Sequence, residues 1–587
     1  MSNTSPAPAR GPRGRLRRSS SCLSGGLLAL TLLTGCRAVS SPDQTPPVQS
    51  PAQLQERTAL FKPEVQKVTE GIYLAIGYGI ANSGLIVAPE GRIVVDTLET
   101  LTQAKKVRAA FDAVDARPIK GIIYTHSHPD HIFGAGAFDD GGTPIYAHAS
   151  SASLMDELVS RIRPIMNRRA ALMYGTSLKG TAFENVGIGP FVGMFDGQAT
   201  LETRRPTHTY QSHEKLMIAG EPIELFHAPG ETSDHTYVWL PQRKVLFAGD
   251  NLYEAFPNLY TLRGTSWRDP VAWVASLDLI RSLEPDYLVL SHTRFIAGKA
   301  EIQRIVTDYR DAIQYVHDQT LRGMNQGLSP DELASRIELP PHLRQAPHLQ
   351  ELYGSVPWCV RAIYTGYLGW FDGNPKHLRP LPPQVQAQKW VELAGGEAGM
   401  IQQMEKAAAA QDWAWLLELA DALYRVQPNN PDLLRLRAQA LTALGEAEGN
   451  PNARHWFLGS VLEQQEGPLS LPNRPTPAFL HAVPTRVYFE AQQIALRAEE
   501  TLELEKAAVF RFPDTGEVFS LIIRRGVAEL REGEVPDAHL HVTVDSRAWK
   551  EMLGGLRNPL TFMASPELKV EEGVGAYADF MRHFRKG

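Results

Sequence analysis

The chain has 587 residues, of which 43% are hydrophobic and 21% are charged. This balance excludes an intrinsically disordered protein, a collagen and a coiled coil, and the length predicts about three domains. The net charge of -6, from 59 basic and 65 acidic residues, argues against nucleic acid as a partner. Three cysteines are too few for a disulfide framework or a thiolate zinc cluster, so any metal must be held by His, Asp and Glu.

Residues 1–36 are typical of a bacterial export signal. Several arginines precede an apolar stretch, 22–33, which is too short to span a bilayer comfortably. The stretch ends in Leu-Thr-Gly-Cys36, which resembles a lipobox, in which the cysteine is lipidated; a plain secretory signal is the alternative. We therefore expect a lipoprotein of the cell envelope, periplasmic or at the outer membrane, that contacts the membrane only through its lipid anchor. Residues 37–54 are predicted to be a flexible tether.

The rest of the chain divides into three predicted regions. Residues 55–300 alternate short apolar strands with helices, which predicts an α/β layer domain. Residues 301–466 have the periodicity of helices, with apolar side chains three and four positions apart. Residues 467–477 are rich in proline and predict a linker. Residues 478–587 return to α+β character, including a hairpin at Arg525-Gly526. The predicted fold class is thus α/β, then α, then α/β.

A dense group of potential metal ligands follows the predicted strand at 121–124. The segment THSHPDH contains His126, His128, Asp130 and His131. Two histidines in alternate positions can converge on one ion from a tight turn, and the Asp-His pair can serve a second ion. Imidazole and carboxylate are suitable zinc ligands, and loops at strand ends are where such sites are built. The alternative is a solvated, histidine-rich turn.

This H-x-H-x-D-H pattern resembles that of the metallo-β-lactamase superfamily, whose αββα sandwich holds metal at one edge of its two sheets. The resemblance implies further ligands at three later places. Glu231 follows a Pro-Gly pair, Asp250 follows a glycine, and His292 follows a strand and a serine. Most members have histidine where this chain has Glu231. His235, four residues later, is the rival candidate for that ligand position.

Glutamate at position 231 narrows the resemblance to the alkylsulfatase branch, which hydrolyses dodecyl sulfate and related esters. The same branch is indicated by the segments at 258–264 (NLYTLRG), 315–321 (YVHDQTL), 337–343 (IELPPHL) and 367–375 (YLGWFDGNP). The resemblance implies a catalytic domain at 55–300, a helical domain at 301–466 that forms a homodimer, and a C-terminal sterol-carrier-like domain at 478–587. The chain departs from the branch at Asp250, where glutamate is usual.

The implied centre contains two zinc ions. One ion takes His126, His128 and Glu231, and Asp250 bridges the ions. The second ion takes Asp130, His131 and His292. A hydroxide between the ions is the expected nucleophile, which makes Asp130 and Asp250 the expected catalytic carboxylates. Attack on sulfur and attack on the ester carbon are both compatible with this ligand set.

A small amphiphilic, anionic substrate needs a cationic clamp and an apolar surface. Arg263 is the first candidate for binding the sulfate, because a guanidinium matches its oxygens. Further candidates for substrate binding are Asn258, Arg268, Tyr364 and Tyr367. Structural ion pairs for the arginines and core packing for the tyrosines are the alternatives. Asp96, at the end of a strand, is predicted to orient a ligand histidine, and a plain turn cap is the alternative. Phenylalanines of the C-terminal region fit either an alkyl tunnel or an ordinary sheet core.

Three functions are compatible with these observations. The first is a dizinc alkylsulfatase. The second is a hydrolase of the same fold that acts on another ester, a lactone, a thioester or a β-lactam. The third is a non-catalytic, lipid-binding lipoprotein. Glu231 and the two additional domains favour the first function over the second. All seven ligand positions hold side chains that can bind metal, which favours an enzyme over the third.

Overall fold

The computed structural model describes residues 51–157, 162–197, 199–469 and 474–584. The predicted signal, the predicted lipidation site Cys36 and most of the predicted tether lie outside these residues. The end of that tether is helical instead: a helix spans Ala52–Thr58, and Leu54 is fully buried in a core with Tyr253 and Tyr353. Among the helices of the described ranges, none has the length and hydropathy needed to cross a bilayer.

The first half of the chain forms two packed sheets, which we call the sandwich domain. The first sheet has seven strands, in the spatial order Glu64–Thr69, Ile72–Ile76, Ser83–Ala88, Gly91–Val95, Ile119–Ile123, Ile145–His148 and His208–Tyr210. The second sheet has six strands, in the order Ile296–Ala297, Tyr287–Val289, Val245–Phe247, Thr236–Leu240, Glu221–His227 and His213–Ile218. Aliphatic side chains of both sheets share one buried core, so the sheets face each other.

Helices cover the outer faces of both sheets and complete the αββα arrangement that the resemblance implied. Leu101–Val114 packs on the first sheet through Val107 and Phe111. Pro270–Leu283 and Lys299–Asn325 pack on the second sheet. These elements bury their apolar stripes against the sheets, as amphipathic surface helices do.

The helical region has two parts with different packing. The helices that share a core with the second sheet are Lys299–Asn325, Pro330–Arg336, Pro341–Arg344 and Val356–Leu368. The remaining helices are Pro383–Leu393, Gly396–Ala409, Trp413–Val426, Pro431–Ala447 and Pro451–Glu466, and most of them share a second core around Met404 and Leu419. Residue 301 is therefore inside a helix that belongs to the sandwich core, and the packing does not change there.

The C-terminal region has a five-stranded sheet with helices on it. The strand order is Val527–Glu532, Glu517–Arg524, Glu505–Phe512, Leu540–Val544 and Leu568–Val570. The helices are Pro477–Ala482, Thr485–Ile494, Ser546–Leu553, Pro559–Met563 and Val574–Met581. Phe510, Phe512 and Phe519 are buried among aromatic rings, with Trp549 at the centre. These phenylalanines thus form an ordinary sheet core.

The predicted linker at 467–477 contains regular structure in its described part. Arg474–Pro475 pairs in parallel with Thr200–Leu201 of the sandwich domain. The helix Pro477–Ala482 begins directly afterwards, and its Phe479 and Leu480 belong to the core under the first sheet. The C-terminal region is therefore packed against the sandwich domain.

Candidate metal centre

The segment THSHPDH follows the strand Ile119–Ile123 and turns into the short helix Pro129–Ile132. Proline at the first helical position fixes the turn, because its ring presets a helical φ and no amide donor is lost there. His126 and His131 are fully buried as a result, while Asp130 stays partly accessible. Local chain geometry therefore directs this cluster of ligand-type side chains towards one edge of the sandwich.

Three further segments meet this helix, and Asp250 is at their centre. Its Oδ2 lies 3.0 Å from His292 Nε2, 3.4 Å from His131 Nε2 and 3.7 Å from His126 Nε2. Two groups of ligand atoms result, each within 4.8 Å: His126, His128 and Asp250, and Asp130, His131, Asp250 and His292. Asp250 belongs to both groups, which is the position that a bridging ligand needs.

The ligand-type histidines are held from behind by hydrogen bonds. Nδ1 of His131 lies 2.8 Å from Asp96 Oδ2, as expected for Asp96, and Nδ1 of His292 lies 2.7 Å from the carbonyl oxygen of Ile80. These contacts place a proton on Nδ1 of each ring, so that Nε2 is directed towards Asp250. Asp96 also accepts hydrogen bonds from the amide and hydroxyl of Thr125 and from the Ser291 hydroxyl.

Buried polar atoms without a partner test whether metal fits this centre. Among the described residues, His131 Nε2, Glu231 Oε2 and Asp250 Oδ1 are buried and accept or donate no hydrogen bond. Burial opposes charge on His131, but the carboxylates of Asp250, Asp130 and Asp96 outweigh it and raise its pKa well above the usual value. The buried carboxylates therefore concentrate negative charge at this centre, which a bound metal cation would neutralise. The nitrogen and oxygen donor atoms of the centre suit zinc.

Glu231 lies beside Asp250 but outside the two ligand groups. Arg268 Nη1 donates to its Oε1 at 2.7 Å, and the amide of Glu231 donates to Asn251 Oδ1 at 3.0 Å. Burial raises the pKa of Glu231 to about 8 against the opposing charge of Arg268, and the nearby Asp250 adds to the rise. The free Oε2 is the atom through which Glu231 would reach a metal ion.

His235, the rival of Glu231, is engaged with the backbone. Its Nε2 accepts a hydrogen bond of 2.9 Å from the amide of Asp250, and its ring stacks on that of His126 at 5.0 Å. Gly249 permits this approach, since its φ of 54° is left-handed and a Cβ there would overlap the His235 ring. Burial lowers the pKa of His235 to about 3, so the ring is a neutral acceptor that places Asp250.

Arg263 is next to the first ligand group. Its Nη2 lies 3.5 Å from His128 Nε2, and its guanidinium also interacts with the hydroxyl of Tyr174. Tyr174 in turn meets Tyr353 through their hydroxyl oxygens, 3.2 Å apart. A cation at the edge of the ligand cluster is positioned to bind an anionic group that faces the metals.

Asn258 and Arg268 are buried near Glu231. The carbonyl oxygen of Asn258 accepts a hydrogen bond of 2.5 Å from Arg268, while its side-chain amide has no partner among the described residues. Arg268 is therefore a partner of Glu231, and its Nε and Nη2 have no acceptor in the described ranges. Both residues keep unsatisfied donors close to the cluster.

The structure does not bring Tyr364 and Tyr367 to this centre. Tyr364 is buried in the core between the second sheet and the helices that cover it. Tyr367 is 47% exposed, and its hydroxyl lies 2.9 Å from His317 Nε2. Both tyrosines are on the helix Val356–Leu368, whose faces point into the core and into solvent, and their assignment to substrate binding stays a prediction.

Tyr174, Tyr353 and Glu99 are site residues that the sequence did not single out. Tyr174 and Tyr353 come from distant segments with no local motif. Glu99 is fully buried and accepts hydrogen bonds from the amides of Ile80 and Gly193 and from the Gln103 side chain. For Glu99, the one available signal in the sequence was the glutamine four residues later, near the N-terminus of a helix.

Comparisons with known proteins agree with this arrangement. Residues 76–292 match the family model of the metallo-beta-lactamase superfamily, and residues 329–467 match that of alkyl sulfatase dimerisation. A linear primary-alkylsulfatase of a Pseudomonas species is 36% identical over 83% of this chain and 95% of its own. An (R)-specific secondary-alkylsulfatase of Pseudomonas is 28% identical over 82% and 74%.

A solved structure of a double mutant of the secondary alkyl sulfatase PisA1 has the same fold. It superposes with a TM-score of 0.84 at 25% identity, over 91% of this chain and 87% of that one. The agreement extends from the sandwich through the helices to the C-terminal sheet. The chain therefore belongs to the alkylsulfatase family of the metallo-β-lactamase superfamily.

Proposed function

We propose that the protein hydrolyses primary alkyl sulfate esters, such as dodecyl sulfate, at a centre of two zinc ions. The observation that carries this proposal is the pair of ligand groups that share Asp250 and retain buried, unpartnered donor atoms. In the reaction one water molecule is consumed, the C–O–S linkage is broken, and the products are the alcohol and hydrogen sulfate. The activity named for the 36% identical relative supports the substrate class.

The residues of this chain divide the work in the following way. His126, His128 and Glu231 would hold one ion and Asp130, His131 and His292 the other, with Asp250 between them. When bound, two zinc ions would supply Lewis acidity and lower the pKa of a water molecule. The ring of His235 accepts a hydrogen bond from the amide of Asp250 and thereby positions Asp250 in the centre.

The arginines would bind the negatively charged sulfate of the substrate. Arg263, beside His128, would bind the sulfate oxygens. The amide nitrogen of Asn258 and Nη2 of Arg268, which have no partner among the described residues, would donate hydrogen bonds to the same group. Because Arg268 is tied to Glu231, sulfate binding and the first ligand group are linked through one guanidinium.

Metal analysis combined with a sulfate-release assay tests the proposal. Protein stripped by a chelator and reloaded should contain about two zinc ions per chain, since seven ligands exceed the four that one tetrahedral zinc uses. The reloaded protein should release sulfate from dodecyl sulfate, and the stripped protein should not. A single zinc per chain would contradict the dinuclear centre, and the absence of sulfate release would contradict the substrate.

We also propose that the protein is a homodimer through its helical region, which is supported by the match of residues 329–467 to a dimerisation family. A group of exposed apolar side chains within this region, at Leu368, Trp370, Leu378 and Leu381, is the candidate contact surface.

The lipid anchor at Cys36 is a further proposal, supported by the lipobox-like sequence alone. Metabolic labelling with a radioactive fatty acid should mark the full-length protein in the bacterial envelope. The Cys36→Ser variant should lose the label and move from the membrane to the soluble fraction. An unlabelled wild-type protein would instead indicate a plain secretory signal.

A further inference from the structure

The loop of residues 77–82, which we call the Ile80 loop, holds His292 at its ring and at its backbone. Nδ1 of His292 donates to the carbonyl oxygen of Ile80 at 2.7 Å. The side-chain nitrogen of Asn82 donates to two carbonyl oxygens, two residues before and one residue after His292, at 3.1 and 2.8 Å. The amide of Asn82 donates to a third, directly before His292, at 2.6 Å. One loop of the first sheet therefore sets the position of a predicted ligand on the second.

The backbone next to His292 needs this support. Thr293 has a φ of 63°, in the left-handed region. For a β-branched residue this conformation is strained, and it persists only where surrounding contacts hold it. The hydrogen bond from Asn82 to the Thr293 carbonyl oxygen is such a contact. The place of His292 thus depends on the Ile80 loop and not only on the strand that precedes it.

Glu99 in turn holds the Ile80 loop from behind. Its side chain is fully buried, and its Oε2 accepts a hydrogen bond of 3.2 Å from the amide of Ile80. Its Oε1 accepts from the amide of Gly193 at 2.6 Å and from the side chain of Gln103 at 3.0 Å. Ile80 is therefore bound through its amide to Glu99 and through its carbonyl oxygen to His292.

The packing around Glu99 provides no cation for its carboxylate. Its hydrogen-bond donors within the described ranges are all uncharged. Burial raises its pKa to about 7 against the hydrogen bond from the Gly193 amide, and the carboxylate of Asp130 adds to the rise. A buried anion is costly unless positive charge lies nearby. Because Asp130 is a predicted zinc ligand, metal bound there would supply that charge.

The first ligand group, which contains His126 and His128, has a separate support. Nδ1 of His126 lies 3.0 Å from the Thr125 hydroxyl. In the part of the chain that the structure describes, the Ile80 loop makes no hydrogen bond to His126 or His128. A displacement of the Ile80 loop should therefore affect the zinc ion held by His292 and not the one held by His126 and His128.

We propose that Glu99 is a positioning residue for His292. By holding Ile80, it directs the imidazole towards Asp250 and sets how tightly the second ligand group binds its metal ion. That group consists of Asp130, His131, Asp250 and His292. The inference rests on the proposed function, because it assumes that His292 binds one of two zinc ions. Loss of a contact behind a metal ligand typically lowers metal affinity by about 10–100-fold.

Two substitutions at Glu99 test the proposal. Glu99→Gln keeps the size of the side chain but turns one acceptor oxygen into a donor, opposite an amide that also donates. Glu99→Asp keeps the charge and withdraws the carboxylate from the Ile80 amide by one methylene. The control is Glu221→Gln, at another buried glutamate of the sandwich domain, which is paired with Arg243. Zinc affinity is measured by competition with a chromophoric chelator, and thermal unfolding of each variant checks that it folds.

The wild type and Glu221→Gln should bind two zinc ions with matching affinities, even if Glu221→Gln unfolds at a lower temperature. Both Glu99 variants should bind one ion within about twofold of the wild type and the other roughly 10–100-fold more weakly. Such a selective loss is not expected from a change that only lowers the stability of the fold.

A double-mutant cycle with His292→Ala shows whether Glu99 acts through His292. The single variant His292→Ala keeps the other three residues of the second ligand group. In this background Glu99→Gln should cause no further loss of zinc affinity, since the ring that it positions is absent. An equal loss in both backgrounds, or wild-type affinity for both ions in both Glu99 variants, would overturn the proposal.

Zinc binding needs no substrate, so this proposal and the proposed function can fail separately. If the wild type binds two zinc ions but releases no sulfate from dodecyl sulfate, and the Glu99 variants lose one ion, the positioning role stands and the substrate is wrong. If sulfate is released and the Glu99 variants bind zinc as the wild type does, the positioning role is wrong and the reaction stands. A wild type with a single zinc site would overturn both.

Discussion

The ring of Phe479, from the C-terminal region, meets the ring of Phe133 nearly at right angles, with centroids 5.3 Å apart. Phe133 directly follows the short helix that carries Asp130 and His131. Phe479 is 2% exposed and belongs to the core under the first sheet. The C-terminal region therefore supports the back of the metal-binding loop through one aromatic contact.

We predict that Phe479→Ala destabilises the protein by about 3–5 kcal/mol, as for other buried aromatic truncations. It should also weaken zinc binding at the Asp130–His131 site, since the helix there loses its support. Thermal unfolding and zinc competition with a chelator measure the two effects. Leu560→Ala, at a residue of the same region that is 72% exposed, should change neither. A destabilised Phe479→Ala variant with wild-type zinc affinity would show that the contact serves stability alone.

The second prediction separates Glu231 from His235. Glu231→Ala should retain about one zinc per chain, because the ion at the first site loses an anionic ligand. His235→Ala should keep about two zinc ions but unfold at a lower temperature, since the Asp250 amide loses its buried acceptor. Zinc stoichiometry after gel filtration decides between them. Full zinc occupancy in Glu231→Ala, with loss in His235→Ala, would reverse the assignment.

The third prediction concerns the variant Glu231→His, which tests the same ligand position in a complementary way. The variant restores the ligand that most of the superfamily has and should keep its zinc. It also removes a negative charge next to Asp250 and leaves Arg268 without its partner, so sulfate release should change while zinc content does not. Loss of zinc in this variant would mean that the space at position 231 does not accept an imidazole.

The fourth prediction concerns the pH dependence of the metal-free protein. Burial raises the pKa of Glu99 from 4.5 to about 7, although the amide of Gly193 donates to its carboxylate. The folded state therefore favours protonated Glu99; its contribution to stability is full below pH 4.5 and is lost as the pH rises towards 7. The loss amounts to about 3 kcal/mol.

Glu99→Gln should remove this loss, so its unfolding free energy should fall less between these pH values than that of the wild type. Urea unfolding of the chelator-treated protein across this range measures the difference. Glu90→Gln, at an exposed glutamate of the same domain, should follow the wild-type curve. Parallel curves for wild type and Glu99→Gln would show that folding does not raise the pKa of Glu99.

The fifth prediction tests the homodimer. Trp370 is 73% exposed at the candidate contact surface, so Trp370→Asp should place a charge in the interface and give monomers. Light scattering at micromolar concentration should show a dimer for the wild type and for Leu560→Asp, a matched change at an exposed leucine of the C-terminal region. A monomeric wild type would contradict the proposal.

The sequence was most informative where the chemistry is local. His126, His128, Asp130 and His131 lie within one turn after a strand, so their convergence follows from the chain itself. The three later positions came from a family resemblance, and the structure gathers Asp250 and His292 with that turn and leaves Glu231 beside them. Short apolar runs between helices predicted an α/β layer domain, and the family resemblance implied that its strands form a two-sheet sandwich.

Other features depend on contacts between distant segments and have no local signal. Arg268 and Glu231 are 37 residues apart in the chain, and Tyr174 and Tyr353 are 179 residues apart, so both pairs form only through tertiary packing. A helical period predicts that Tyr364 and Tyr367 lie on a helix. It does not predict the direction in which each side chain points. For the same reason a proline-rich stretch was expected to be a linker, where the structure has a paired strand at Arg474–Pro475.

The pairing of Arg474–Pro475 with Thr200–Leu201 has a consequence for biogenesis. The core under the first sheet needs Phe479 and Leu480, which are synthesised long after the strands that they cover. The sandwich is thus incomplete until nearly the whole chain has been made. The predicted export signal, by directing an unfolded chain across the membrane, would meet this requirement, since folding would then begin with every segment present. Premature termination before the C-terminal region would instead leave apolar surface behind the metal-binding loop, a target for proteolysis.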